Sequence, residues 1–584
     1  MADAKHPPEL KILFFTEMWE RFSFYLMLGI LPQYLADSQK GGMAWTDEQA
    51  AVVVGTYIAL VYFTPFIGGL MADRLFGFRK MIIAGGLLMM IGHLVLAIPN
   101  EIGLYLGLGF LILGNGGFKP NISSLLGNLY PPGSPLKDSA YSIFYLGVNL
   151  GAFICNFVAA LARNYFDEHP IHVTSTWQIA GWHAAFATAA VGMLLGLLLF
   201  LFNYRRFDQA DTVHRAAGSD ASLTPLWVEC VTPAALFGAA GWFASTWKYL
   251  PFNPPTGAFI GACLPVLFFY FNIWRTVPDR AEKGRVAALL VIYAVVIVFW
   301  MTFHLNTTAL NVWARDDTDR EPNAAVAVIT NAFPEFAENA PPKYFDNAGP
   351  TIPRPAKGTY DVVSDERYKQ LETAKQLIVV EDKKVFVTQS MLDKIYSDTD
   401  DSTPILEEGK HLKVTNTELF QSINAGFVIL FTPLVVGFFS MLRNRGQEPS
   451  TAAKIGLGLA INGGAPALML AATIVSNDGA MKVSAWWLFG VYAIATVGEL
   501  CLSPMGLALV NKVSPARIQA FMMGGWFLAT SFGNKLSGIM GEVYHQWDHN
   551  VFWIVLVVCD VAFGLIVLAL LPWFKRQMGS SQTT

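Results

Sequence analysis

The 584 residues are 53% hydrophobic and only 14% charged, with 40 Lys+Arg against 44 Asp+Glu for a net charge of −4, where a soluble globular protein carries roughly 25% charged residues. So little charge cannot cover a soluble surface of this size, and the net negative sign excludes a nucleic-acid binder; a polytopic membrane protein remains. The five cysteines, Cys155, Cys230, Cys263, Cys501 and Cys559, are scattered through apolar runs and read as buried small hydrophobes, not as a disulfide framework or metal cluster.

In chain order, apolar stretches predict fourteen spans at 12–35, 49–72, 81–98, 102–128, 139–161, 181–203, 224–246, 255–275, 286–311, 418–442, 452–476, 484–509, 517–542 and 551–574. The first is not read as a cleavable signal peptide: a polar leader over 1–9 precedes it, it carries three charges, and no small-residue cleavage site follows. Basic residues gather in alternate connections: Arg74, Arg79 and Lys80; Arg205, Arg206 and Arg215; Arg275, Arg280, Lys283 and Arg285; Arg443 and Arg445; Lys512 and Arg517; Lys575 and Arg576. The intervening loops hold little beyond Lys40, Arg163, Lys248 and Lys482. Positive loops stay inside, so both termini are expected in the cytoplasm.

The segment 311–417, with thirteen Lys/Arg and nineteen Asp/Glu, is then expected on the outer face. Leu377-Ile-Val-Val, Glu381-Asp-Lys-Lys and Val385-Phe-Val387 read as a short β-hairpin, which makes this a small folded domain, an accessory insertion without chemistry.

Ionisable residues inside spans carry the most information. Glu17, Glu20, Arg21, Phe24 and Leu28 fall on one face of the first helix. A central charge facing lipid costs roughly 2.5–3.5 kcal/mol, so this face is expected to line water or meet partners. The competing reading is a helix-end ion pair snorkelling to the interface. Lys119, in Gly114-Asn-Gly-Gly-Phe-Lys-Pro, and Glu499, in Gly498-Glu-Leu-Cys-Leu-Ser-Pro, lack an opposite charge in their own helices. Each needs one from another helix, or water. One Lys, one Arg and three Glu suggest a shared polar cavity of the kind that relays protons in transporters. Pro120, Pro433 and Pro504 are expected to interrupt helices near a midplane site. The loop over 68–80, with Gly69, Asp73, Arg74 and Arg79, can cap a helix terminus and latch its neighbours in one conformation.

At these residues the chain resembles the proton-coupled oligopeptide transporter family of the major facilitator superfamily. Gly69 to Lys80 resembles the superfamily signature, and Glu17-Met-Trp-Glu-Arg-Phe-Ser-Phe-Tyr25 the family's ExxERFxYY motif. Gly116-Gly-Phe-Lys119-Pro-Asn-Ile, Phe144-Tyr-Leu-Gly-Val-Asn149, Gln421-Ser-Ile-Asn424, Gly498-Glu499-Leu-Cys-Leu-Ser503-Pro and Gly525-Trp526-Phe527 are similar to further motifs, so the resemblance runs from about residue 10 to 575 outside the insertion.

The resemblance implies an all-α major facilitator fold: a six-helix bundle over 1–203, a linker with an additional helix pair over 204–285, and a second bundle over 286–310 and 418–584, interrupted by the insertion. It implies alternating access driven by protons as coupling ion, with di- and tripeptides as cargo and no other cofactor, metal or nucleic acid, in a monomer embedded in a bilayer, a bacterial inner membrane by its compact loops. By motif position Glu17, Glu20, Arg21 and Lys119 couple protonation to binding. Arg21, Lys119 and Asn149 lie towards the peptide carboxylate, Asn424 and Glu499 receive the amino end, and Tyr25, Tyr62, Ser503 and Trp526 line the pocket. A zwitterionic peptide requires such separated poles with aromatic walls between.

The chain departs from the family pattern at Phe24, where a second Tyr is usual, and at Leu28, where an Arg is common. It departs again at His304, where Phe299-Trp-Met-Thr-Phe precedes an imidazole instead of a carboxylate, and in the outer domain placed directly after that helix. An imidazole, with an unperturbed pKa of about 6.5, can titrate or simply hydrogen-bond. The alternative cargo is therefore another small polar or anionic solute. A membrane enzyme finds no Gly-x-Ser-x-Gly elbow or intramembrane metal pair, and the 114–117 glycine run lacks the Gly-Lys-Ser/Thr ending of a phosphate loop; its apolar context reads as close helix packing. A non-transporting receptor needs no proton relay.

Overall fold

The computed structural model describes residues 6–578 apart from 39, 132–133, 135, 174–177, 212–223, 225, 323, 340–359, 365–366, 368–377, 380–383, 389–412, 480–481 and 516–517. Arg215, Arg517, Leu377, most of the insertion and the side chains of Asp73 and Arg74 lie outside the described residues.

Helices follow in the order α1 Glu9–Ala36, α2 Asp47–Met71, α3 Phe78–Leu96, α4 Glu101–Asn128, α5 Leu136–Glu168, α6 Gly181–Phe202, α7 Thr232–Thr246, α8 Pro254–Thr276, α9 Arg280–Phe303, α10 Ala309–Asp316, α11 Ala324–Ala332, α12 Ser422–Asn444, α13 Thr451–Asn462, α14 Gly464–Val475, α15 Trp486–Val513, α16 Gln519–Tyr544, α17 His549–Ala569 and α18 Leu571–Met578. Several starts are fixed by capping side chains that accept a free backbone N–H: Thr46 with a full capping box for α2, Asn100 for α4, Asn253 for α8, Asp279 for α9, Ser450 for α13 and Asp548 for α17.

Among the described residues every predicted span is helical, but several are not simple α-helices: the second ends in a π-turn at Ala72, the tenth opens with a 3-10 turn, Thr417–Gln421, and three others depart further. The ninth breaks at a 3-10 turn, His304–Thr307, and continues as α10 to Asp316, so the insertion starts later than residue 311. Here the Thr307 hydroxyl bonds the His304 carbonyl at 2.9 Å, the competition with the helical ladder that short polar side chains provide. The eleventh divides into α13 and α14 at Gly463-Gly464, just before Pro466. The seventh opens with a π-helical turn, Leu226–Val231, ahead of Pro233. The prolines expected to interrupt helices do not: Pro120, Pro433 and Pro504 lie inside unbroken α4, α12 and α15.

Among the described residues eleven helices are long and apolar enough to cross a membrane. The spans outside that set are α1, the π-turn with α7, and α16. The π-turn and α7 fall into two short pieces. α1 and α16 carry buried polar side chains: Glu17, Glu20 and Arg21 on one, Asn534 and Lys535 on the other. A helix that presents polar groups to other helices loses the hydropathy by which spans are recognised.

α1 packs on α5 and α6, α2 on α4, and α3 on α4 and α6; α13 packs on α15 and α17, α9 on α16 and α17, and α12 on α15. These two sets meet along two seams, α2 with α16 and α5 with α12, while α7 and α8 pair with each other. The glycine run of α4 serves close packing as expected: a Cβ on Gly116 would lie 2.7 Å from Thr64 Cβ of α2, and one on Gly114 2.6 Å from the Gly85 carbonyl of α3. α8 is tied to α16 by Tyr270, whose hydroxyl donates to the Phe521 carbonyl at 2.7 Å, and by Asn253, which donates to Glu542 at 3.1 Å.

Strands are short. β1 Ile171–His172 pairs with β2 Gln178–Ile179, and β3 Thr318–Asp319 runs parallel to a strand at Val483–Ser484. In the insertion, β4 Ala337–Asn339 pairs with a strand at Lys413–Thr415. β5 Tyr360–Val363, β6 Ile378–Val379 and β7 Lys384–Thr388 form a three-stranded sheet. β6 and β7 pair antiparallel, Ile378 opposite Val385, as the expected hairpin requires.

Candidate functional site

The charged face of α1 is turned inward. Glu17, Glu20 and Arg21 are 3%, 0% and 2% exposed, which removes the reading of a snorkelling pair at the interface. The Arg21 guanidinium forks onto both carboxylates: Nη2 donates to Glu20 Oε1 at 2.6 Å and Nε lies 3.2 Å from Glu17 Oε1, with a further contact to the second Glu20 oxygen. Its Nη2 also reaches Asn115 Oδ1 of α4 at 3.3 Å, while Asn115 Nδ2 donates to the Val61 carbonyl of α2 at 2.8 Å. One helical turn beyond Asn115, Lys119 Nζ sits 3.9 Å from the centre of the Tyr62 ring, a cation over an aromatic face. Lys119 is within electrostatic reach of Arg21 and Glu20. Two cations and two carboxylates thus share one desolvated site, where loss of any one leaves an uncompensated charge.

Glu499 of α15, expected to need an opposite charge from another helix or water, meets neutral donors. Oε1 accepts from the Tyr145 hydroxyl of α5 at 3.4 Å, and Oε2 from Asn424 Nδ2 of α12 at 3.3 Å; Asn424 also donates to Thr496 at 2.9 Å. Asn149 Nδ2 donates to the Tyr145 carbonyl at 2.9 Å, so it braces the turn of α5 that presents Tyr145. Tyr25 lies between the poles, within reach of Tyr62, Arg21 and Glu20 on one side and Glu499 on the other. Ser503 stands one turn past Glu499 on α15, half-buried. Trp526 of α16 is buried against Gly506, its ring occupying the space where a Cβ would sit.

His304 stands at the break between α9 and α10. Its Nδ1 is 3.2 Å from the Trp300 carbonyl, its ring 6.2 Å from that of Tyr62, and Lys119 is within electrostatic reach. An Nδ1 facing a carbonyl carries the proton, so Nε2 is the free acceptor.

At the far end of α2, Gly77 adopts φ +86, and Asp211 fills the space beside it, accepting from the Phe78 amide at 2.6 Å and from Arg79 Nε at 2.7 Å. Arg79 also contacts Asp208 and donates to the Tyr204 carbonyl at 3.1 Å. Gly69 lets α2 approach Pro120 of α4, 3.3 Å from where its Cβ would lie.

Sequence reasoning missed several residues. Asp560 is the one Asp, Glu, Lys or Arg of α17, and Lys535 stands seven positions from the other charge of α16, Glu542; the rule that found Lys119 and Glu499 would have found both. Lys535 Nζ donates to Thr56 Oγ1 of α2 at 2.7 Å across the α2–α16 seam. Arg163, read as a loop residue, lies within α5 and joins Glu338 of β4 at 2.9 Å and Glu418, just before α12, at 3.1 Å. Arg320 meets the other Glu338 oxygen at 2.9 Å, and Arg315 of α10 grips Asp47 of α2 with two 2.9 Å bonds. Tyr145 falls inside the Phe144-Tyr-Leu-Gly-Val-Asn149 motif, which gave it no role of its own, and for Thr496 the sequence holds no signal.

The model of the PTR2, or POT, family matches residues 79–333 and 409–554. A peptide transporter of Yersinia enterocolitica is 27% identical over 99% of this chain and 96% of its own length; a di-/tripeptide transporter of Lactococcus lactis subsp. cremoris is 26% identical over 98% and 97%. Among solved structures, a mutant peptide transporter POT in complex with alafosfalin is 27% identical with a TM-score of 0.68, covering 99% of this chain and 97% of that one. The chain is similar to these proteins over nearly its whole length.

Proposed function

Because the chain belongs to the POT family, we propose that it is a proton-driven symporter of di- and tripeptides that works by alternating access in the membrane. The observation that carries this reading is the pairing of Arg21 and Lys119 on α1 and α4 with Glu499 on α15, bridged by Tyr25, Tyr62 and Tyr145. A peptide carboxylate enters at the cationic pole and its ammonium at Glu499, while Trp526 and the tyrosines flank the backbone. The peptide then joins the two helix sets, and its binding favours a closed state by as much as it binds that state more tightly. Protons enter at Glu17 and Glu20: neutralising either carboxylate frees Arg21 for substrate. His304 is the gate group on the facing helix. Both termini lie in the cytoplasm, the insertion outside, and the working unit is a monomer in a bacterial inner membrane.

A carrier of another small polar or anionic solute is the second reading. It is favoured by Phe24, which is buried beneath Arg21 with its ring centre 5.0 Å from the guanidinium carbon and adds no hydroxyl to the site.

The test is reconstitution into liposomes with an inward proton gradient and labelled di- and tri-alanine. Accumulation that collapses with a protonophore, and falls to background in Lys119→Ala or Glu20→Gln, is expected. Uphill uptake by either variant at the wild-type level would remove the coupling role, and folded protein that takes up neither peptide would favour the second reading.

A further inference from the structure

We propose that Asp560 is a further proton-binding carboxylate, lodged inside the second helix set and set apart from Glu499 by a water-sized cavity lined by side chains that hold the two carboxylates; this rests on the proton-driven reading above. Asp560 is fully buried in Val557-Val558-Cys559-Asp560-Val561-Ala562 of α17. Its two oxygens are held by neutral groups: Thr302 Oγ1 at 3.1 Å and Asn462 Nδ2 at 2.8 Å. Both holders stand at helix breaks, Thr302 in the last turn of α9 and Asn462 at the end of α13.

Asn462, Thr302, Asn306, Asn424 and Tyr492 line a cavity of about 20 Å³, room for about one water. The Oδ1 atoms of Asn462 and Asn306 are buried without a hydrogen-bond partner among the described residues. Two orphaned acceptors on one cavity call for a donor, and a water with two O–H groups supplies it. Asn424, on the same cavity, already holds Glu499. The cavity is lined not by the two carboxylates but by the side chains that hold them, Thr302 and Asn462 for Asp560 and Asn424 for Glu499, so one water position lies between the two sets of holders.

The hydroxyl of Thr302 makes both protonation states of Asp560 satisfiable. It lies 3.3 Å from the Val298 carbonyl and 3.1 Å from Asp560 Oδ1. With Asp560 ionised, Thr302 donates to it; with Asp560 protonated, the carboxyl O–H donates to Thr302, which turns its own proton to Val298. No bond is left unmade in either state.

The ionisable groups on the helices around it are engaged elsewhere. On α9 and the following turn, Tyr293 donates to the Met522 carbonyl, His304 faces the Trp300 carbonyl, and Glu282 lies near Arg285 at the opposite end with Arg280 and Lys283. On α13, Lys454 pairs with Glu448 at 2.6 Å; α14 carries no ionisable side chain. α17 itself adds His549, paired with Asp478 at 2.7 Å, and Cys559; α18 adds Lys575 and Arg576 in its last turn. A buried carboxylate with neutral partners only is costly when ionised, so it takes up a proton and gives it up only when a route to water or to Glu499 opens.

The experiment is an infrared pH titration of the purified carrier in liposomes without substrate, with proton-to-peptide stoichiometry measured in parallel. A protonated-carboxyl C=O band that titrates in the wild type and is missing in Asp560→Asn is expected, with one fewer proton moved per peptide. All bands surviving in Asp560→Asn, or a lost band that never responds to pH, would overturn the proposal by making Asp560 a fixed structural hydrogen-bonder. A band that sodium removes at constant pH would overturn it in favour of a metal cation. Should Asp560→Asn fail to fold, Asp560→Glu is expected to shift the band, and an unshifted band counts against the site. The titration needs no transport, so wild-type protein that accumulates no peptide would refute the symporter while leaving the infrared result to stand alone.

Discussion

At the scale of single residues, the site is a set of buried charges: Arg21 pairs with Glu17 and Glu20 on its own helix, while Lys119 and Glu499 meet their partners on other helices. His304 is the position where chemistry and packing are hardest to separate, since its Nδ1 is committed to the Trp300 carbonyl and its Nε2 is open. His304→Gln preserves a side chain able to donate and accept but removes titration. The expected outcome is a displaced pH optimum of peptide uptake with comparable expression. An unchanged profile would leave His304 a packing residue against Tyr62 and Trp300. The charges themselves were legible in the sequence because an ionisable group in an apolar run is rare and expensive. Their partners were not: Tyr145 is 354 positions from Glu499, and no local pattern marks a tyrosine that will donate across helices.

Among the elements, the insertion and the helix ends beside it form a clasp. Burial alone would push the Glu338 carboxyl up, but the Arg163 and Arg320 guanidiniums hold it down at about 2 against an ordinary 4.5. A carboxylate whose pKa is depressed by folding stabilises the fold above its unfolded value and loses that contribution as pH falls through the folded one. The melting temperature is therefore expected to hold down to about pH 4.5 and to fall from there towards about pH 2. Glu338→Gln removes one partner of a buried ion cluster, a loss of about 3–5 kcal/mol, so it should melt lower near neutral pH and show a weaker decline in acid. Thermal unfolding in detergent across pH checks this, and an identical acid decline in the variant would place the sensitivity elsewhere. That this segment folds into strands was legible from alternating Val, Ile and Phe around charged turn residues. That Glu338 locks onto α5 was not, because the contact joins segments 175 positions apart.

For the whole molecule, the ion pairs between the two helix sets gather at the end that carries the insertion, while α2 and α16 pack along their length, Phe66 meeting Gly524 towards the other end. Arg315 grips Asp47, Arg163 grips Glu418, Lys535 meets Thr56, and α5 meets α12 through Asn156 and Ser422 at 3.1 Å. Further along α12 towards the end that carries the termini, Leu430, Leu434, Val436 and Phe438 are exposed. This arrangement holds the site shut at the insertion end. Moving a two-state equilibrium from one side to the other takes about 5.5 kcal/mol; breaking the buried Arg163–Glu418 pair supplies about 3–5 kcal/mol of it, and the half-buried Arg315–Asp47 pair adds to that. Spin labels at the insertion ends of α5 and α12 are expected to separate in the double variant Asp47→Ala, Arg163→Ala. An unchanged distance would show that the α2–α16 seam alone keeps that end closed.

The sequence alone determined the membrane class, the helical character of the fourteen apolar stretches and the five charges on α1, α4 and α15. Hydropathy is a property of contiguous residues, and a buried charge announces itself wherever it falls. Only the tertiary structure decided that Glu499 is held by neutral donors, that α9 and α13 break where they meet Asp560, and that Arg163 is a clasp rather than a loop charge. Each of those depends on which helix stands opposite, and that is set by packing between segments distant in the chain, 75 positions for Asn424 and Glu499 and 258 for Thr302 and Asp560.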